Sequence, residues 1–161
     1  MTTGVRRAVA LQGRRAGFVS RASAAAIDVL LVFLGFLVAL AGYAVVAYLL
    51  TDNPLELPDP GAVWSSTGIV VLLIAVLTFA WSGSGRTIGD VAIGLRVVTE
   101  SGAELRAPRA LVRAIVVVGL PVLSMAWILV SKKNAGWHDL VCRTTVVYDW
   151  RPRSVKSRPQ E

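Results

Sequence analysis

The chain has 161 residues, of which 55% are apolar and only 17% charged, with 17 Lys and Arg against 10 Asp and Glu for a net charge of +7. A soluble domain carries about 25% charged residues and about 45–50% apolar ones with Gly counted, so this composition excludes both intrinsic disorder and an ordinary soluble fold. The apolar residues form three charge-free blocks, Val29 to Leu50, Gly61 to Gly85 and Ala114 to Ser131. At about 1.5 Å per residue the first block alone covers the ~30 Å of a hydrocarbon core. The chain reads as an all-α integral membrane protein.

Residues 1–14 form a basic tail that runs into the first apolar segment, at about 24–50. Arg6, Arg7, Arg14, Arg15 and Arg21 precede that segment without a single acid. The apolar run continues well past the small residues Ala39 and Ala41, so it reads as an uncleaved span and not as a cleaved leader. The connection 51–63 has no basic residue; it holds Asp52, Glu56 and Asp59 among Pro54, Pro58 and Pro60. Basic flanks stay in the cytoplasm. The expected arrangement is a multi-pass protein of the cytoplasmic membrane, with its N-terminus inside, residues 51–63 outside, a second span at about 63–81, and residues 86–109 inside again.

Thr87 followed by Asp90 is a capping-box pattern, and Ile88, Val91, Ala92 and Leu95 then repeat at helical spacing, which predicts a short cytoplasmic interfacial helix. Arg96 to Thr99, the turn Glu100-Ser101-Gly102 and Ala103 to Leu105 predict a small β hairpin. Gly83, Gly85, Arg86 and Thr87 superficially suggest a phosphate loop, but Ala80 and Arg86 stand where that motif needs Gly and Lys, so nucleotide binding is rejected.

The third apolar block, about 110–130, is interrupted at Gly119-Leu120-Pro121, and Pro inside a helix removes a hydrogen bond and kinks the chain. A straight crossing would put the C-terminal basic residues, Lys132 to Arg158, outside. Two half-length limbs, entering and returning as a re-entrant hairpin, keep them inside. The expected fold is two full transmembrane helices plus this broken hairpin, with three full spans as the alternative; residues 15–149 form the membrane domain and 150–161 a disordered basic tail.

Little in the sequence supports catalysis. One Cys and one His give no metal-ligand spacing, no Ser, His and Asp ordering supports a hydrolase, and no cofactor motif is present. The expectation is a protein without enzymatic activity, metal or cofactor. Basic flanks of membrane spans are expected to bind anionic lipid, at roughly 1 kcal/mol per residue, and they do so without nucleic acid.

Two charged residues sit where charge is expensive. Arg21 and Asp28 are seven apart, on one helical face within about 20°. Ionisable groups at membrane depth cost roughly 2.5–3.5 kcal/mol and usually face protein or water. Alternatively, Asp28 lies at the interface while Arg21 reaches up to lipid phosphate. The small residues Ala22 to Ala26 between them allow another helix to approach. Asp139, beside His138 and ahead of a strand-like run, is a candidate third member.

Taken together these motifs resemble the RDD family of small bacterial membrane proteins, named for one Arg and two Asp. The match runs through Arg21-x-x-Ala24-x-x-Ile27-Asp28, then Thr87-Ile88-Gly89 with Gly94-Leu95-Arg96-Val97-Val98 and Gly102, then His138-Asp139-Leu140 leading to Thr144, over about residues 15–147. The chain departs from the pattern at Asp90, where a basic residue is common, and at Cys142-Arg143. The resemblance implies a functional or ion-binding cluster of Arg21, Asp28 and Asp139, supported by Thr87, Gly89, His138 and Thr144. It favours the hairpin, because Asp139 can join Arg21 and Asp28 only from the cytoplasmic side. It also implies a transport-linked role, in which Asp28 and Asp139 would exchange a cation for a proton. The alternative is an accessory subunit of a larger membrane complex, such as an actinobacterial lipid importer. With so few spans and no visible repeat, a carrier of this kind would be a homo-oligomer.

Overall fold

The computed structural model describes residues 13–51, 61–131 and 135–149. The two basic tails, apart from Gly13 and Arg14, and most of the acidic connection lie outside the described residues. Helix α1 (Phe18–Thr51) has 34 residues, about 51 Å at ~1.5 Å per residue, and α2 (Gly61–Gly83) has 23. Both are long and apolar enough to cross a membrane. Leu34, Val38, Leu49, Val71 and Phe79 point outward from them, because lipid tails solvate such side chains as well as a protein core does. Helix α1 exceeds the hydrocarbon thickness by about 20 Å, and its charged residues, Arg21 and Asp28, are confined to its first three turns.

The short helix α3 (Ile88–Ile93) opens on the predicted capping box: Thr87 Oγ1 accepts from the Asp90 N–H at 3.0 Å and Asp90 Oδ2 from the Thr87 N–H at 3.1 Å. Strand β1 (Leu95–Thr99) follows. The third apolar block is two helices, α4 (Ala107–Gly119) and α5 (Pro121–Val130), bent by 96° about Leu120. Pro121 begins α5, where its missing N–H costs nothing, and it drives Leu120 out of the helical region to φ −131°, ψ 56°. The break predicted at Gly119-Leu120-Pro121 is therefore present as a bent pair. Helix α6 (Trp137–Cys142) and strand β2 (Thr144–Tyr148) complete the chain.

The small sheet differs from the local hairpin expected at 96–105. Strand β1 pairs antiparallel with β2, Leu95 opposite Tyr148 and Thr99 opposite Thr144. Residues 103–105 form no strand; the Thr99 N–H donates to the Ala103 carbonyl at 2.9 Å and closes a turn. Only three residues are free there before Pro108 commits the chain to α4, whereas β2 offers five paired residues and buries Val146 against Val97. The N-terminal residues join the same assembly, with the Gly13 and Ala16 N–H groups donating to Tyr148 and Val146 carbonyls at 2.8 and 2.9 Å. Ala16, Ala24, Leu77, Trp81, Leu95, Val97, Ala110, Ala114 and Val146 pack into one core. The alanines let α4 lie close to α2.

The segments α3–β1 and α6–β2 share one local arrangement. Each has an Asp at the third helical position whose carboxylate accepts the N-cap N–H, Thr87 N in one and Gly136 N, at 3.0 Å, in the other. Each helix has six residues and ends on a left-handed residue, Gly94 at φ 75° or Arg143 at φ 51°, before a five-residue strand. Arg143 carries a side-chain penalty of roughly 1–2 kcal/mol there that Gly94 avoids.

Both described ends of the chain thus sit at the end where α1 begins and α2 stops. In a Cys142→Ser background, Arg14→Cys, Glu100→Cys and a C-terminal tag should be reached by an impermeant reagent from one face of the membrane and Thr51→Cys from the other. A tag on the side of Thr51 would mean a straight third span.

Candidate functional site

Asp139 is the hub of the buried polar residues, 1% exposed. Its position on α6 is set locally, because accepting the Gly136 N–H fixes its side chain across the helix N-terminus. Two arginines from different helices converge on it. Arg21 Nη1, from α1, donates to Oδ2, and Arg113 Nη1, from α4, donates to Oδ1 at 2.5 Å. Arg113 Nη1 also donates to Thr144 Oγ1, and the Thr144 hydroxyl lies 3.4 Å from Oδ1. Arg21 Nε anchors on the Ala16 carbonyl at 3.2 Å. One carboxylate therefore joins α1, α4, α6 and the start of β2.

Asp28 lies elsewhere on the same wall. Its Oδ2 accepts from the Thr87 hydroxyl at 2.6 Å and its Oδ1 from the Gly89 N–H at 2.8 Å, so it ties α1 to the start of α3. Gly89 is required there: a Cβ would stand 2.1 Å from the Ala24 carbonyl oxygen. Trp81 connects the two centres, since its indole N–H donates to Asp90 Oδ2 at 3.2 Å while the Arg113 guanidinium lies 4.9 Å over its ring.

The structure thus places Arg21 on Asp139, with Thr144 and His138 beside it, and places Asp28 on Thr87 and Gly89. Sequence reasoning missed Arg113 and Trp81. Arg113 reads as one more basic flank residue after Arg106 and Arg109. Its spacing held a signal, because it falls between Ala110 and Ala114 on the small-residue face that packs against α2.

These groups line one end of a cavity of about 280 Å³ between α1, α2, α4 and α5. Its polar end carries Arg21, Asp28, Asp90, Arg113 and His138; its other walls are apolar, with Leu73, Leu77, Val117 and Met125. Burial would raise the pKa of Asp139, but the Arg113 and Arg21 guanidiniums outweigh burial and hold its carboxyl well below the usual range. His138 is pushed down to about 3, by burial first and then by Arg113, so its imidazole is neutral at physiological pH. Its Nε2 lies 3.4 Å from Asp139 Oδ1. Burial pushes the Cys142 thiol up, which disfavours the thiolate that a nucleophile needs. Among the described residues no group of three or more His, Cys, Asp or Glu side chains is placed to hold a metal ion.

The family model described as the RDD family matches residues 15–143, and the chain belongs to that family. No curated protein and no solved structure matches the chain.

Removing one partner of a buried ion pair leaves the other charge uncompensated and costs about 3–5 kcal/mol. Asp139→Asn should therefore lower stability by that order, and Arg21→Met by less, because Arg113, Thr144 and Gly136 still hold the carboxylate; thermal unfolding in detergent ranks the two. The unfolded imidazole of His138 takes a proton near pH 6.5, but the folded one refuses it down to about 3. Stability should fall as pH drops through that window, with loss of the Asp139 contribution adding to it only below the ordinary carboxylate range. His138→Gln should flatten the dependence of melting temperature between about pH 6.5 and 4.

Proposed function

We propose that this RDD-family protein serves in transport as a non-catalytic accessory subunit of a larger membrane complex. It sits in the cytoplasmic membrane with both termini inside, where its basic flanks meet anionic lipid. The observation that carries this reading is that both carboxylates are already engaged. Asp139 is shared by two guanidiniums, and both Asp28 oxygens accept from Thr87 and Gly89. A coordinating site needs oxygens that can turn to an ion, whereas these lock α1 to α3, α4 and α6. The outward apolar faces of α1 and α2 supply surface for lipid or for the helices of a partner.

A second reading is cation and proton exchange through a homo-oligomer. It draws support from Asp28, which borders the cavity and could take a cation by giving up Thr87 and Gly89. The test is purified protein in sealed liposomes with an internal pH dye, pulsed with Na⁺, K⁺ or Li⁺. The accessory reading expects no ion-driven proton movement from folded protein, and co-purification with other membrane subunits after mild solubilisation. Proton movement that Asp28→Asn abolishes would overturn it in favour of exchange.

A further inference from the structure

Helices α3 and α6 are inside out. A helix on a water-facing surface buries its apolar side chains and turns its polar ones to solvent. Here the third residue of each helix, Asp90 or Asp139, is buried at 7% and 1% exposure. The first, fourth and fifth residues face outward instead: Ile88, Val91 and Ala92 on α3, and Trp137, Leu140 and Val141 on α6. At 3.6 residues per turn these positions share one arc of about 100°, and that arc carries no polar side chain on either helix. Single exposed apolar residues are ordinary on a soluble surface. The same inverted face on two helices from distant parts of the chain is not.

Depth along α1 identifies what covers these faces. Leu49 and Leu50 still point outward at its far end, which sets one edge of the hydrocarbon near Thr51. A core of ~30 Å takes about 20 residues of helix, so the other edge falls near residue 31. Helix α3 is bound to Asp28 and lies against Ala24, about 5–10 Å beyond that edge at ~1.5 Å per residue. Helix α6 is bound to Arg21, two turns before Asp28. Interfacial helices sink their apolar faces at this level, and Trp concentrates there. Trp127 of α5 and Trp137 meet edge to face, their centroids 5.7 Å apart, and both stay more than a third exposed. Arg143, which ends α6, and Arg106 and Arg109, at the start of α4, are exposed and suit lipid phosphate. The neighbouring turns of α1 and α2 face lipid in the same way, with Val29, Leu30 and Phe79 each at least half exposed.

We propose that α3 and α6 are both embedded at the boundary of acyl chains and head groups, in the leaflet where α1 begins, with their outward faces against lipid. The interfacial position expected of α3 is thereby extended to α6 and given a face. The segments that hold the two helices are then not loops in the cytoplasm. Asp28 and Asp139 lie beneath lipid head groups, and the turn at Ser101 reaches water beyond them. This placement holds for an accessory subunit and for an exchanger alike.

The test is depth-dependent quenching in the full chain, reconstituted in phosphatidylcholine vesicles. A nitrobenzoxadiazole label is placed on Val91→Cys or Leu140→Cys in a Cys142→Ser background, with Val38→Cys, in the middle of the span, and Ser101→Cys as references. The vesicles carry lipids brominated near the carbonyl end or near the methyl end of an acyl chain. Labels on Val91→Cys and Leu140→Cys should be quenched several-fold more by the shallow bromines than by the deep ones. The label on Val38→Cys should show the reverse order, and that on Ser101→Cys should respond to neither. All four positions are exposed, and melting temperatures equal to that of the Cys142→Ser parent confirm that each variant is folded. Labels on both helices that behave like the one on Ser101→Cys place the two faces in water and overturn the proposal. Stronger quenching by the deep bromines places them inside the span and overturns it too. Blue-shifted emission without quenching assigns the faces to a second copy of the chain, and shallow quenching on one helix alone breaks the pairing; either result also overturns the proposal.

Discussion

Two guanidiniums and one carboxylate are withdrawn from solvent where α1, α4 and α6 meet, and the rest of the fold is arranged to make that tolerable. Desolvating such ions costs several kcal/mol each, recovered only if geometry is good and the remaining donors and acceptors are met. Thr144, Gly136 and the Ala16 carbonyl meet most of them. Each of these lies at the edge of a secondary element, so the requirement reaches outward: α6 must begin at Gly136, β2 must begin at Thr144, and residues 13–16 must lie against β2. The sheet, otherwise only two strands, is held in register by this need as much as by its own ladder.

The same logic divides Arg21, Asp28 and Asp139 into separate duties. Asp139 balances charge, while Asp28 supplies acceptors to the start of α3 and brings that helix so close to α1 that only Gly fits at residue 89. Trp81 spans the two, one edge on Asp90 and one face under Arg113. A chain with little polar surface thus encloses a polar core at one end and leaves its long apolar flanks to lipid.

Much of this was legible in the sequence, and the parts that were not share a cause. Charge-free runs longer than a bilayer fix α1 and α2, Pro121 fixes the break between α4 and α5, and Thr87 with Asp90 fixes the start of α3, because each is a local rule with a local signature. The partner of β1 was misread since strand pairing is decided by what arrives from elsewhere, here a segment about fifty residues downstream. Arg113 was hidden by its neighbours: Arg106 and Arg109 make it look like a surface charge, and only the Ala face beneath it says otherwise. The likeness between the two helix and strand segments was invisible because they share little beyond the Asp, the left-handed position and the two valines of each strand.

The closing of the lock has a direction in time. Arg21 and Asp139 are 118 residues apart, whereas Arg113 and Asp139 are separated by 26. At the ~5–20 residues per second of protein synthesis, Arg21 leaves the ribosome roughly 6 to 24 s before its counter-ion exists. Throughout that interval the first helix carries an unmatched cation. Pairing comes only when the final short helix and strand are made and strand β1 gains its partner. A chain cut short before residue 139 stays permanently in the unmatched state, with two bare guanidiniums and an open strand edge.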